Sequence, residues 1–493
     1  MTVNKVYIPL TLFSFALEYH FFGHNPFIYH FTNLLLHMIV TGLIFLFSLR
    51  IGANLRAAFL GALLFGLHPM HVESVAWISE RKDVLYAFFY MLALCNYWSY
   101  LESKQKTPYF LTVLFGLLSI LTKPMALSLP LAFFVCDWFY GRKLNAKVFA
   151  DKIPHFLYII PIAWKTYSLF SRVPFKHIEN AILIWVWTFI FYIRKFVFPV
   201  NLLPHYELPH PILLFHPSYI TSLWLFCLLL YLIYHFRNNR WLIFACLFYF
   251  VSIFFLLRYA DVRMFGNLSV VADRFMYLPS MGFCIFFGVL MDEIFEADVT
   301  KGKVFQKVGY FCAVILFMGL SFSTYNQTKI WRNEIRLWTY VIQKSPQDAL
   351  AYVNRAIEYK KRRQYDLAIA DCTRAIDINP QFYISAYTSK NNKYSINNNR
   401  FIEIDQTNTA LTNNPYLVVA YRERGFIYKM TKQYPLAIAD FNKVISINPQ
   451  DAEVYFNRSR VFYALGEQKK ANENASKAKL LGYAVDDSYT NGL

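Results

Sequence analysis

Cysteine is scarce and scattered in this chain: Cys95, Cys136, Cys227, Cys246, Cys284, Cys312 and Cys372, six of them in apolar stretches, never in CxxC spacing. Neither a disulfide framework nor a thiolate metal site is indicated. A Gly-rich phosphate loop of the Walker type and a nucleophile elbow are both missing, which removes the P-loop and serine-hydrolase readings. The N-terminus has only Lys5 before a run broken by Pro9, Glu18, His20 and Pro26, and so lacks the charged start, apolar core and cleavage site of a signal peptide. Acids are few beside bases, 31 against 49, a formal charge of +18. The excess falls in both halves, 25 Lys+Arg against 15 Asp+Glu in residues 1 to 324 and 24 against 16 in residues 325 to 493. In a membrane protein such an excess means loop anchors and attraction to anionic headgroups before it means nucleic acid, which is not expected as a partner.

What the sequence has in quantity is apolar and aromatic side chains, 56% and 19% of its 493 residues, too many for a soluble protein of this length. Spanning a bilayer takes about 20 apolar residues in a helix. Candidate spans are 28 to 50, 56 to 76, 82 to 101, 108 to 121, 124 to 140, 154 to 171, 180 to 199, 219 to 236, 240 to 258, 275 to 292 and 306 to 324. The basic loops Arg50 to Arg56, Glu102 to Thr107, Gly141 to Lys152, Arg237 to Arg240 and Lys301 to Lys307 face the cytoplasm by the positive-inside rule. Parity then requires either 154 to 171 or 180 to 199 to lie along the surface, leaving about ten crossings with both termini outside.

Beyond residue 324 prolines mark a period. Pro346, Pro380, Pro415 and Pro449 are 34, 35 and 34 residues apart, the length of a tetratricopeptide helix pair. Tyr352, Ala356, Tyr359, Ala368 and Ala375 stand where small residues admit close helix packing and aromatics fill the gaps; Tyr421, Gly425, Tyr428 and Ala437 repeat the pattern, as do Tyr455, Ser459, Phe462, Ala471 and Ala478. The second unit, Gln381 to Asn414, keeps the length but places Lys390 and Ile402 at the small positions and carries Asn391, Asn392, Asn397, Asn398 and Asn399, which disfavour helix. It is a decayed repeat or a local slip of frame. The repeats read either as a solvated solenoid or as a groove for a protein or peptide. The expected organisation is an all-α polytopic bundle at 28 to 324 preceded by an outer loop with an interfacial helix at 1 to 27, a connecting helix at 325 to 345, repeats at 346 to 483 and a tail at 484 to 493.

Polar clusters at the ends of apolar helices are costly unless they serve something. The densest runs from His68 through His71, Glu73, Trp77 and Glu80 to Arg81, Lys82 and Asp83. His71 and Glu73 are close enough to share a divalent metal or a proton, and Arg81 with Lys82 suits a phosphate. An interfacial loop of headgroup anchors and a capped helix start accounts for the same residues equally well. Lys123-Pro124, His205-Tyr206 and Asp273-Arg274 with Tyr277 and Pro279 are further outward sets; a lone Asp-Arg before a helix is more often a cap or ion pair than a catalytic pair. Ion conduction would call for charges repeated within the spans, and these are few.

In order along the chain, Pro9-Leu-Thr-Leu-Phe-Ser, Asn33-Leu-Leu-Leu-His37, His68-Pro-x-His71-x-Glu73-x-Val-Ala-Trp77-x-x-x-Arg81-Lys82-Asp83, Thr122-Lys123-Pro124-Met125, Ala272-Asp273-Arg274-x-x-Tyr277-Leu-Pro279 and Trp331-Arg-Asn precede the repeats. This resembles the transmembrane and tetratricopeptide-repeat proteins of the GT-C glycosyltransferase superfamily, O-mannosyltransferase-like, in their bacterial form. The resemblance implies a multi-span enzyme of the bacterial inner membrane that takes a sugar from a polyprenyl phosphate and transfers it to a protein or glycan on the extracytoplasmic side, where the repeats present acceptors. Carried onto this chain, His71, Glu73 and Asp83 are the catalytic candidates, with His71 and Glu73 as metal candidates; Arg81, Lys82, Lys123 and Arg274 attend the donor phosphate; His68, Asp273 and Tyr277 belong to the acceptor or structural loop. Such proteins open with a further helix and an outer loop bearing an acidic pair that supplies the catalytic carboxylate, whereas the first acid here is Glu18. The chain therefore looks truncated, and the rival reading is a non-enzymatic membrane scaffold whose repeats recruit partners.

Overall fold

A computed structural model of the chain describes residues 2–3, 6–168, 178–209, 211–254, 269–296, 303–378, 394–397, 400–403 and 415–485. The chain divides into two compact units, Met1–Trp331 and Arg332–Leu493.

The first unit is built of helices: α1 (Pro9–Phe22), α2 (Pro26–Arg50), α3 (Leu55–Leu67), α4 (Val72–Ala76), α5 (Arg81–Ser103), α6 (Lys106–Thr122), α7 (Leu129–Tyr140), α8 (Ala146–Ala150), α9 (Ile153–Ser168), α10 (Ile178–Val197), α11 (Pro217–His235), α12 (Arg240–Ile253), α13 (Ser280–Glu296) and α14 (Lys303–Ile330). Local chemistry sets the starts. Asn25, Asn54 and Asn239 each turn a side-chain oxygen onto an orphan backbone N–H of the first turn, and Pro26 occupies a position that needs no donor. Among the described residues four helices are long and apolar enough to cross a membrane, Pro26–Arg50, Ile78–Ser103, Pro217–His235 and Gln306–Ile330, or five if Leu55–Leu67 and Pro69–Ala76, bent by 49°, form one span. Lys106–Thr122, Pro124–Tyr140 and Arg240–Ile253 are apolar but shorter. Two of the expected apolar runs are interrupted at prolines: 56 to 76 breaks at Pro69, and 124 to 140 opens with a 3-10 turn. The last apolar helix does not stop at 324; it runs to Ile330.

Small residues let α3 and α13 meet backbone to backbone: a Cβ on Gly61 would stand 2.8 Å from the Cys284 carbonyl oxygen, and one on Gly288 would collide with Ala57 and Gly61. Turns rich in arginine gather at one end of this unit. Arg50 donates to Cys95 O and Ser99, Arg56 pairs with Asp292, Arg142 with Asp137 and Asp151, and Arg240 reaches Phe139 O. The polar run from His68 to Asp83, Lys123 and Asp273-Arg274 meet at the other end. There Tyr206–Glu207 pairs antiparallel with Ser269–Val271 and ties the loop after α10 to the one before α13.

The second unit comprises α15 (Glu334–Lys344), α16 (Ala349–Lys361), α17 (Tyr365–Asp377), α18 (Pro415–Met430), α19 (Tyr434–Ile447), α20 (Ala452–Ala464) and α21 (Gln468–Leu480). Among the described residues the chain is all-α apart from three two-stranded pairings. Ala356, Ala368, Ala437, Ser459, Ala471 and Ala478 are wholly buried between helices, and a methyl on Gly425 would lie 2.7 Å from the Phe441 ring. Tyr352 and Tyr421 are half-buried beside them. Of the second repeat unit, only Tyr394–Asn397 and Arg400–Glu403 are described, paired antiparallel; Lys390 and the other asparagines lie outside the described residues. One arrangement recurs in the rest. Arg355 grips Asp371 through Nε and Nη2, both at 2.8 Å, and donates Nη1 to Thr339; Arg424 does the same with Asp440 and Thr373; Arg458 reaches Asn474 and Asn442. Each such arginine ties its own helix pair to the preceding helix, so α18 stacks directly on α17.

Candidate functional site

Every cation that the sequence offered for a donor phosphate has a carboxylate of its own. Arg81 is wholly buried at the start of α5: Nη1 meets Glu18 at 2.5 Å, Nε donates to Asn33 Oδ1 at 2.9 Å, Nη2 donates to Tyr29 O at 3.0 Å, and the plane lies 4.4 Å from the Phe15 ring. With its donors spent on α1 and α2, Arg81 bolts the start of α5 to those two helices. Lys123, 5% exposed, pairs with Asp83, which also accepts from Ser74 at 3.0 Å. Its ammonium sits over Tyr86 and Phe275, and burial pulls its pKa below the usual lysine range against the raising effect of Asp83 and Glu80. Lys82 donates to Glu80 Oε1 at 2.9 Å and Arg274 Nη1 donates to Glu73 Oε1 at 2.5 Å; these two side chains keep 26% and 21% exposure.

Arg274 is the hub. Its backbone N–H donates to Glu73 Oε2 at 2.9 Å, Nη1 also reaches Pro204 O at 3.0 Å, and Nε stands 3.5 Å from Glu80 Oε1. Trp77 and Phe275 flank the guanidinium at 5.6 and 5.0 Å. Burial lowers its proton affinity, but Glu73 and Glu80 overrule that and raise it, so it stays charged. Glu80, absent from the sequence candidates, is 3% exposed; one oxygen is shared by Lys82 and Arg274, and Oε2 is buried with no hydrogen-bond partner. A buried carboxylate oxygen left open costs about 1–3 kcal/mol, so it asks for an explanation.

Asp273 does not pair with its neighbour Arg274. Tyr206 OH lies 2.8 and 2.9 Å from its two oxygens and also accepts from Leu203 N. Burial first, then the charge of Glu73, pushes the Asp273 carboxyl well above the usual carboxylate range.

The histidines are committed to the backbone. His68 accepts from Met70 N at Nδ1 and donates from Nε2 to Phe196 O at 2.9 Å. His71 donates from Nδ1 to Phe65 O at 2.8 Å, leaving Nε2 to Ser280 Oγ at 2.9 Å; His37 takes Gly66 O through Nε2 and the Tyr277 hydroxyl at Nδ1, 2.7 Å away. The rings of Phe65, His37, His71 and Tyr277 cluster, mostly tilted or edge to face, with centroids 4.3 to 6.1 Å apart. His71 and Glu73 thus face different partners, and the donors expected to share a divalent metal do not fit one: no group of three or more His, Cys, Asp or Glu among the described residues is placed to hold a metal. Glu73, Asp83, Lys82, Lys123 and Arg274 come together; Arg81, His68, His71 and Tyr277 buttress them. Glu80 carried a usable signal, an acid inside the polar run at a helix start, but its importance depends on Arg274, which folding alone brings in.

Comparison with known proteins agrees with this organisation. Residues 349–382 match the tetratricopeptide repeat family. The chain is similar to the human protein O-mannosyl-transferase TMTC3, 24% identical over 95% of this chain and 60% of that protein, and to the protein O-mannosyl-transferase F38B6.6 of Caenorhabditis elegans, 25% identical over 71% and 50%. A shorter stretch of 97 residues is 41% identical to mouse protein O-mannosyl-transferase TMTC1, covering 20% of this chain and 10% of that one. The chain thus spans at most about 60% of the length of these curated relatives. Among solved structures, that of MamA covers 34% of this chain and 92% of its own at 17% identity, with a TM-score of 0.17.

Proposed function

We propose that this chain is a GT-C type membrane glycosyltransferase that takes a sugar, mannose by analogy with its relatives, from a polyprenyl phosphate and passes it to a hydroxyl of a protein. The setting is a bacterial inner membrane, with the arginine-rich end of the first unit in the cytoplasm and the Arg274 cluster and repeats outside. One observation carries the reading: Lys82 and Arg274, the cations with retained exposure, converge on one carboxylate beside Glu73 at the end of an apolar bundle. Fixed cations in a low-dielectric site stabilise the charge that grows on a leaving phosphate. Lys123 and Asp83 hold the floor, and Asp273 with Tyr206 holds the loop that delivers Arg274. The repeats bind the acceptor protein.

The test is purified full-length chain in liposomes, supplied with mannosyl polyprenyl phosphate and a protein substrate, with mannose on Ser or Thr read by mass spectrometry. Transfer that falls at least tenfold in Lys82→Ala, at unchanged melting temperature, supports the proposal. A second reading has an observation of its own: because each cation already has a carboxylate, the cluster also suits a lock that holds a scaffold together. Protein capture by the repeats without any transfer would favour it.

A further inference from the structure

Lysines join the first helices of successive repeats. Lys360 of α16 pairs with Glu423 of α18, and Lys429 of α18 donates to Asn457 Oδ1 of α20 at 2.5 Å. Both ammonium groups also lie over one ring, 5.7 and 5.8 Å from the centroid of Phe426. These contacts define a surface shared by α16, α18 and α20. Residues three, four and seven apart lie on one face of a helix, so Arg422 belongs to this surface with Phe426 and Lys429, and Arg460 belongs to it with Asn457. Arg355, Arg424 and Arg458 do not: each bonds to the second helix of its own pair and to the helix before.

Countercharge on this surface is uneven. Lys360 has Glu423, whereas Lys429, half-buried, has a neutral amide. Burial first, then repulsion from Arg460 and Lys360, draws the Lys429 ammonium below the usual lysine range, against the opposite pull of Glu453. Arg422 stands 3.7 Å from Asp451 Oδ2, beyond hydrogen-bond distance, and Asp451 Oδ1 caps α20 by accepting from Val454 N at 3.2 Å. Arg460 is exposed. Cations crowded round a half-buried ring, with partners that are neutral or distant, are relieved by carboxylates brought from outside. Three helices packed about 9 Å apart span ~18 Å, room for about six residues of extended chain. Resting on the reading that the repeats hold the acceptor protein, we infer that the face of α16, α18 and α20 binds an acidic peptide segment of that protein. Its carboxylates meet Arg422, Lys429 and Arg460, and an apolar side chain lies on Phe426. Acceptors are then selected by an acidic stretch as well as by the hydroxyl that takes the sugar, and the selection weakens with salt.

Fluorescence anisotropy on the full chain in nanodiscs tests this, with a labelled octapeptide of Asp and Glu around one central Leu as the probe. The acidic peptide should bind, and its counterparts in Asn and Gln or in Lys and Arg should not. Lys429→Glu should weaken binding at least about tenfold. Lys477→Glu, the same change of charge at an exposed position of α21, should stay within about threefold, with both melting temperatures unchanged. Equal binding of the neutral peptide, preference for the basic one, or equal losses in the two variants would overturn the acidic face. Mannose transfer to a protein with an acceptor KM that Lys429→Glu leaves unaltered would overturn it too, and leave the functional proposal standing. A natural chain that neither transfers mannose nor retains any protein would overturn both.

Discussion

The two units handle charge in opposite ways. In the repeats one device recurs: an arginine between tyrosines, Arg355 over Tyr352 and Tyr359, Arg424 over Tyr421 and Tyr428, Arg458 over Tyr455, each reaching an acid or amide sixteen positions on. Its periodicity is that of the fold, which marks it as structural. Among the described residues of the membrane unit no pairing is repeated. Arg81 with Glu18, Lys123 with Asp83 and Arg274 with Glu73 differ in geometry, in depth and in the elements they join, and all crowd one end. Charge that follows a repeat holds the repeat together; buried charge that follows no period includes bolts such as Arg81 and, under the proposed function, the contacts of Lys82 and Arg274.

The sharpest way to break that contrast is to unpair a bundle charge. Lys123→Met leaves Asp83 buried and alone, and should cost about 3–5 kcal/mol, seen as a large fall in melting temperature in detergent. Arg424→Ala, in the repeats, strips one of several equal ties and should cost about 1–3 kcal/mol by hydrogen exchange across α17, α18 and α19, with the stack still folded. If the two losses were alike, the contrast would fail. A smaller effect comes from pH. Because the Asp273 carboxyl titrates above its unfolded value, the stability it contributes is present below that value and is lost as pH rises through the folded one. Asp273→Asn should match the natural chain at pH 4 and melt above it by a gap that widens toward pH 9.

The smallest effect concerns the repeat frame. Thr339 to Arg355 and Asn442 to Arg458 are sixteen positions apart, and Thr373 to Arg424 is 51, one repeat of 35 longer, yet the same tie is made. Removing residues 379–413 should therefore restore a spacing of sixteen and change stability by no more than about 1 kcal/mol, since the cost of closing a loop varies only slowly with its length. Collapse of the stack on that deletion would show that the missing unit supports it.

Much of this was legible before any coordinates. The proline period and the small residues Ala356, Ala368, Gly425 and Ala437 place the helix pairs because steric fit at a helix crossing is a local demand written at fixed spacing. The arginine ties were legible too, at sixteen residues, but a period of packing residues draws the eye past charges. The bundle was harder. The segments that carry Lys82, Lys123, Glu73 and Arg274 come together; what no local pattern gives is who pairs with whom, since Arg274 and Glu73 lie 201 positions apart. The same holds for the pairing of Arg81 with Glu18, of His71 with Phe65 O and Ser280, and of Glu80 with Lys82 and Arg274.

The central claim is that Lys82 and Arg274 act on the donor phosphate while the periodic arginines are structural, and transfer itself tests it most directly. In liposomes with mannosyl polyprenyl phosphate and one protein acceptor, the rate should fall at least tenfold in Lys82→Ala, which keeps its melting temperature, and stay within about threefold in Arg458→Ala at saturating acceptor. Equal rates in Lys82→Ala and the natural chain, or no transfer by the natural chain while the repeats still hold their protein partner, would contradict it.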